Sequence, residues 1–351
     1  MTSLWAGRTS RLAFAGIVTL SVALSGCSSS AASPTASAAG PTQNATGAPT
    51  APPSAAGQIE VAYITPGLAD NYWVWVLYGI NDAAAKHNVK VVPIDTHHDP
   101  QQQAAAAQTA ITTGMKGIII SPNSSTNAPN VLGPAAAAGI PVSIAAIGTD
   151  SGQYANFTTS DDLQQGRDVG AYMKQILNGK GDVVCVCLDL TRKNAQLKLQ
   201  GINESLTGSG VKIVQNQQAK LYSIEEGSQM TRDLLTANPN ATGIISMYDS
   251  GTLGAIAALD ILGKVPGKDI HIIGMDGNPQ TFALVKSGKI DAISAQLAAE
   301  QGRSAMEQLW NAINGLQVTK EVLLPEPLIT QANFDAMLPT IEGKVYPPGT
   351  K

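Results

Sequence analysis

From residue 58 onward the sequence alternates between two kinds of segment, and this alternation limits the fold more than any other feature. Short apolar runs fall at 59–65, 89–95, 117–121, 141–145, 182–188, 211–215, 243–247, 270–275 and 290–295. Between most of them lie stretches with helical periodicity, at 71–87, 100–113, 162–177, 224–237 and 250–262. A strand, a helix and a second parallel strand make a right-handed βαβ unit. Repeating the unit gives parallel sheets with helices on both faces. Runs without polar alternation, such as Ile118-Ile119-Ile120, suit strands buried on both sides. Nine or more strands are many for one open sheet, so two sheets of about five or six are expected. Open α/β sheets bind ligands beyond the carboxyl ends of their strands. The informative positions are therefore 67–73, 121–123, 146–149, 189–198, 248–249, 276–278 and 296.

The first sixty residues lie outside this pattern. Arg8 and Arg11 precede an apolar run at 12–24, and residues 12–59 carry no charged side chain. A helix of that run would span only about 20 Å, short of a membrane's hydrocarbon core. A basic start and a short apolar run predict a secretory signal over 1–26. The run ends in Leu24-Ser25-Gly26-Cys27. This resembles the lipobox of bacterial lipoproteins, which implies that Cys27 receives lipid and becomes the mature N-terminus. In 28–57 every residue except Gln43 and Asn44 is Ala, Ser, Pro, Thr or Gly. Such a segment buries too little apolar surface to offset its ordering entropy. Residues 27–57 thus read as a lipidated cysteine and a disordered tether. The protein is expected outside the cytoplasm, attached to the cell membrane through lipid.

Composition narrows the chemistry. With 44% hydrophobic and 14% charged residues, the chain has ample material for a core. A net charge of −4 and the lack of a basic patch argue against nucleic acid as a partner. No GxGxxG opens a helix, and neither a GxxxxGK[ST] nor a GxSxG segment occurs. His97 and His98 are adjacent, so their side chains diverge, and no further histidine is near; they read as a solvated loop. No nucleophile–base pair is visible. No catalytic residue, cofactor or metal site is expected. Cys185 and Cys187, two apart in an apolar strand, point to the same face. A bridge between them would be strained, so they are read as buried free thiols.

Eight segments, in order along the body, carry a resemblance. They are 69–73 (Ala-Asp-Asn-Tyr-Trp), 95–100, 119–122 (Ile-Ile-Ser-Pro) and 139–142 (Gly-Ile-Pro-Val). Ser160-Asp161-Asp162 follows. Then come Tyr248-Asp249 with Leu253-Gly254-Ala255, Ile273-Gly274-Met275-Asp276-Gly277, and Ala295-Gln296. Residues 58–333 resemble the ribose/galactose-type (type I) periplasmic solute-binding proteins of ABC transporters. The resemblance implies an α/β fold of two doubly wound parallel-sheet lobes joined by a three-crossing hinge near Ser160, Gln296 and Pro325. The N-terminal lobe would be 58–160 plus 297–325, and the C-terminal lobe 161–296 plus 326–351. A ligand would be captured between the lobes by hinge closure.

The resemblance also suggests a ligand site. Sugar recognition uses flat aromatic faces and side chains that each take two hydroxyls. Asp70 matches a ligand position, and also suits the N-cap of the helix that follows. Tyr72 and Trp73 match stacking aromatics, with core packing as the other reading; Trp75 is placed at a surface or rim. Asp276 and Gln296 are the foremost polar candidates. Lys198 stands where ribose binders carry arginine, or is an exposed helix lysine. Tyr248 replaces a common asparagine, and Ser121 and Asn123 end the third strand. After the fourth strand the family's Asp-Arg pair is replaced by Ala146 and Ile147. That points away from ribose, glucose and galactose, toward an acyclic polyol or a less polar sugar. The expected function is capture of a small neutral sugar or polyol, as a monomer, for import by an ABC permease. The alternative is presentation of a signal molecule to a membrane receptor.

Overall fold

The computed structural model describes residues 58–350. The expected signal, Cys27 and tether lie outside the described residues.

The body contains two six-stranded sheets. The first is formed by β1 (Ile59–Thr65), β2 (Val89–Asp95), β3 (Gly117–Ile120), β4 (Val142–Ala145), β5 (Asn156–Ser160) and β11 (Glu321–Leu324), in the order β11-β5-β4-β3-β1-β2. The second holds β6 (Lys180–Cys187), β7 (Gly210–Gln218), β8 (Ala241–Ser246), β9 (His271–Asp276), β10 (Ala292–Ala295) and β12 (Leu328–Thr330), in the order β12-β10-β9-β8-β6-β7. Every pairing is parallel except that of β12 with β10. The chain passes between the sheets three times: after β5, after β10, and between β11 and β12. β3, β4 and β10 are buried along their whole length. They are covered on both faces: β3 is an unbroken apolar run, and β4 and β10 each bury one serine, Ser143 and Ser294.

Strands β5, β11 and β12 were not among the apolar runs. β5 reads Asn-Phe-Thr-Thr-Ser, and its burial is made possible by polar pairing rather than by apolar side chains. Asn156 Oδ1 accepts from Ser143 and Thr158, and its amide nitrogen donates to the Thr319 carbonyl. β11 and β12 are short edge strands whose positions depend on sheets assembled from distant sequence.

Helices α1 (Asn71–Lys86), α2 (Pro100–Thr112) and α3 (Pro129–Ala137) belong to the first half of the chain. α4 (Asp162–Ile176), α5 (Lys193–Leu206), α6 (Ile224–Ala237), α7 (Asp249–Leu262), α8 (Pro279–Lys286), α9 (Ala298–Ile313) and α10 (Phe334–Val345) follow. Several start on a capping side chain just after a strand. Asp70 accepts from the Tyr72 amide, Asp161 from Gln164, Ser223 from Glu226, and Asn278 from Thr281. These caps gather helix N-termini at the carboxyl ends of the strands.

Paired helices touch backbone to backbone. A Cβ on Gly79 of α1 would lie 1.8 Å from the Ala299 carbonyl of α9, and one on Gly302 would lie 2.0 Å from the Val76 carbonyl. In the same way, Gly166 of α4 faces the Lys198 carbonyl and Gly201 of α5 faces that of Leu163. Only a residue without a side chain permits this approach.

Two readings are corrected. Cys185 and Cys187 share a face of β6 but are not free thiols: they form a disulfide. Their Cα atoms are 5.3 Å apart, closer than the ~6.6 Å of a regular strand and within bridging range. Trp75 is not at the rim; it is buried and packs 5.4 Å from the ring of Tyr346. Tyr346, the residue after the C-terminal helix α10, covers that side of α1, which periodicity alone does not show.

Gly79→Ala should lower stability by about 3 kcal/mol, because α1 and α9 must separate. Gly133→Ala, in α3 with nothing near the added methyl, should be neutral or stabilise by about 0.5–1 kcal/mol. Equal urea midpoints for the two variants would contradict the account.

Candidate functional site

A cavity of about 350 Å³ lies between the two sheets, at the carboxyl ends of their strands. Its walls are aromatic. Tyr72 and Trp73, at the start of α1, meet edge to face with centroids 4.8 Å apart. Tyr248, at the start of α7, meets Tyr222 in the same way at 5.5 Å on the other side. Asp70, Asp249, Asp276, Asn194, Asn278, Gln296 and Arg192 supply polar groups. Ala146 and Ile147, in place of a charged pair, give an apolar stretch of wall.

Six of the nine expected ligand residues come together here: Asp70, Tyr72, Trp73, Tyr248, Asp276 and Gln296. Asp70 holds both roles considered for it, capping α1 and facing the cavity. Ser121 does not reach the cavity. It is fully buried, with its hydroxyl 3.3 Å from the Tyr63 hydroxyl and its carbonyl bound by Gln103. Asn123 lines a second chamber of about 420 Å³, farther out between the lobes.

Lys198 is neither a cavity residue nor an exposed helix lysine. It lies wholly buried, with Nζ 3.3 Å from Asp162 Oδ1. The close α4–α5 contact at Gly166 and Gly201 turns its side chain beneath the cavity. Glu326, on the third passage between the sheets, lies nearby with neither carboxylate oxygen hydrogen-bonded. Burial pushes the Glu326 carboxyl well up, against the pull of Lys198. Burial raises Asp162 too, despite its ammonium partner. Burial opposes the Lys198 charge, but Asp162, Glu326 and Asp276 outweigh it and hold the ammonium above its ordinary range.

Asp276 ends β9 with φ 87°, in the left-handed region, and Gly277 follows at φ 96°. This turn is fixed on two sides. Asp249 accepts from the Gly277 amide and the Thr281 hydroxyl, and the Asp276 carbonyl accepts from the Gln296 amide. Among the described residues, only the Asp249 backbone amide engages the Asp276 carboxylate. Burial raises it to about 7, with Lys198 opposing and Asp70 and Asp162 adding. Of the seven non-glycine residues with positive φ among the described residues, four line this cavity: His98, Ala146, Tyr222 and Asp276. Such strain persists only where the surroundings enforce it, and it clusters at binding sites.

Sequence reasoning missed the cation of the cavity. Arg192, the N-cap of α5, is 7% exposed, and its Nε donates to the Asn123 carbonyl at 3.1 Å. Its guanidinium sits 4.7 Å from the centre of the Tyr222 ring, and His98 stacks on the far side of the rim at 5.9 Å from Tyr222. The Lys193 amide donates to Ser125 Oγ across the same gap. Arg192 belongs to the informative stretch 189–198, but nothing in the sequence sets it above Lys198. His98 was read as solvated loop; it is exposed, yet it borders the cavity.

Two outcomes are expected. Lys198→Met leaves buried carboxylates without their cation, so it should cost about 3–5 kcal/mol at neutral pH. Carboxyls raised in the folded state bind protons more tightly there than in the unfolded chain, so folding weakens as pH rises past the unfolded value. The variant should therefore regain stability at pH 5; a loss independent of pH would contradict this. Separately, ligand affinity should weaken below pH 7 as Asp276 takes up its proton, approaching tenfold per unit, and Asp276→Asn should flatten the profile. A flat profile in the unaltered protein would remove Asp276 from the site.

Known proteins share the sequence pattern and the fold. The chain is similar to the ribose import binding protein of Bacillus subtilis, 26% identical over 284 residues, covering 80% of this chain and 91% of that one. It is similar to the xylitol-binding protein of Mycolicibacterium smegmatis, 23% identical, covering 74% of each chain. Among solved structures, an ABC transporter solute-binding protein from Bacillus halodurans with bound myo-inositol superposes with a TM-score of 0.75. It is 24% identical and covers 80% of this chain and 97% of that one. Residues 61–317 match the model of the periplasmic binding protein domain, and the chain belongs to that family of non-enzymatic solute binders.

Proposed function

We propose that this protein captures a small sugar or sugar alcohol between its lobes, outside the cytoplasm, and delivers it to an ABC permease. The observation that carries the reading is the Asp276 carboxylate, held only by the Asp249 backbone amide, and the Gln296 side-chain amide, between aromatic walls in a cavity of about 350 Å³. Aromatic faces cover C–H edges, and the amide and carboxylate take hydroxyls. The family supports a binding role, and its ribose, xylitol and inositol binders support this ligand class.

The lobes are 58–160 with 297–325, and 161–296 with 326–351. Asp70, Tyr72, Trp73, Tyr248, Asp276 and Gln296 hold the ligand, and Arg192 supplies the cation missing at Ala146 and Ile147. Closure about the three passages buries the ligand. Cys27 carries the lipid anchor, and residues 28–57 give the monomeric body its reach from the membrane. Micromolar affinity corresponds to about −8 kcal/mol, within reach of a few buried hydrogen bonds and stacking faces after closure costs.

A thermal-shift screen of the purified protein against pentoses, hexoses, their alditols and inositols tests the class, since a binder stabilises by mass action. With the hit in hand, Trp73 fluorescence should change on binding. A Trp73→Phe variant that keeps the full signal change would place the ligand elsewhere.

A further inference from the structure

The cavity is unevenly charged. Asp70, Asp249 and Asp276 line it against a single guanidinium, that of Arg192. That guanidinium is held at the outer wall, on the Asn123 carbonyl and over the Tyr222 ring. Beneath the floor the ammonium of Lys198 pairs with Asp162, with Glu326 and Asp276 also within its field. The inner end therefore holds more carboxylates than cations, and buried carboxylates without a counter-charge are costly.

The inner carboxylates are not equally occupied. Asp249 is engaged by Gly277 and Thr281, and Asp70 by the Tyr72 amide. Asp276 has no side-chain hydrogen-bond partner among the described residues, only the Asp249 backbone amide and the field of Lys198. Gln296 lines the same cavity, 5% exposed, and its side-chain amide has no hydrogen-bond partner among the described residues. A hydroxyl would satisfy one lone pair there and bring no charge. A protonated amine brings three donors and the missing positive charge, and nearby aromatic faces attract a cation.

We propose that the ligand is an amino sugar or amino polyol whose ammonium sits at the inner end, on the Asp276 carboxylate and the Gln296 amide oxygen, with its hydroxyls toward the Arg192 wall. The proposal rests on the reading of the cleft as a sugar or polyol site, and it replaces the neutral ligand expected from the sequence.

The test is calorimetric titration of the full-length protein at pH 7 with matched pairs. These are glucosamine and glucose, galactosamine and galactose, and an aminodeoxy-inositol with myo-inositol. At least one amine should bind tenfold or more tightly than its hydroxyl twin. Asp276→Asn should bring that pair within about twofold. Hydroxyl twins that bind as tightly as their amines would overturn the proposal and leave the sugar reading standing. An amine preference that survives in Asp276→Asn would overturn the assignment to Asp276. Failure of every member of every pair to bind would overturn the proposal, and a blank in the wider thermal-shift screen of pentoses and alditols would remove the underlying sugar reading as well. The comparison on the unaltered protein decides the ligand class even if the variant does not fold.

Discussion

One buried ammonium, that of Lys198, organises the region where the lobes join. Asp162 opens α4 directly after the first passage between the sheets and pairs with it. Glu326 lies on the third passage and within its field. Asp276, also within that field, binds the second passage through its carbonyl and the Gln296 amide. The three connections therefore converge on a single positive charge. Removing one partner of a buried pair strands the other, whereas exposed pairs contribute little. The surface pairs of this chain, such as Lys90 with Glu60, are accordingly minor beside it.

The cavity above that charge is built stiff. Asp249 spends its side chain on the Gly277 amide and the Thr281 hydroxyl, and Asn278 caps α8 through the Thr281 amide, so the Asp276 carboxylate is presented without moving. The Tyr72 hydroxyl donates to Gln301, whose amide donates in turn to Ser160, tying the stacking wall to the first passage. Residues that touch the cavity are thus held by residues that do not. Preorganisation of this kind raises affinity by lowering the cost of ordering the site.

The fold was largely legible because its signal is local. Apolar runs such as 59–65 and the helix 224–237 coincide with β1 and α6 to the residue. β5 was illegible because its stability comes from Asn156, Ser143 and Thr158, polar groups that satisfy one another only once β4 and β5 are adjacent. The site divides on the same principle. Positions at strand ends, such as Asp276 and Tyr248, follow from topology. Lys198 and Arg192 lie six residues apart in one segment, and which of them faces the cavity depends on how closely α4 and α5 approach. Glycine–backbone contact sets that distance, and no spacing in the sequence reports it. The strain at Ala146 and Tyr222 is likewise a property of the assembled cleft.

The interleaving of the sheets bears on the order in which the chain becomes structured during synthesis. β5 gains its outer neighbour β11 only when residues 321–324 exist, and β10 gains β12 only with 328–330. Until then each sheet presents an unpaired edge, and α1 lacks α9, the helix its glycine was shaped to receive. Neither lobe can close on itself until residues 321–330 have been made. A chain built this way stays incompletely folded through most of its translation, the condition in which a polypeptide can still be threaded through a narrow membrane pore.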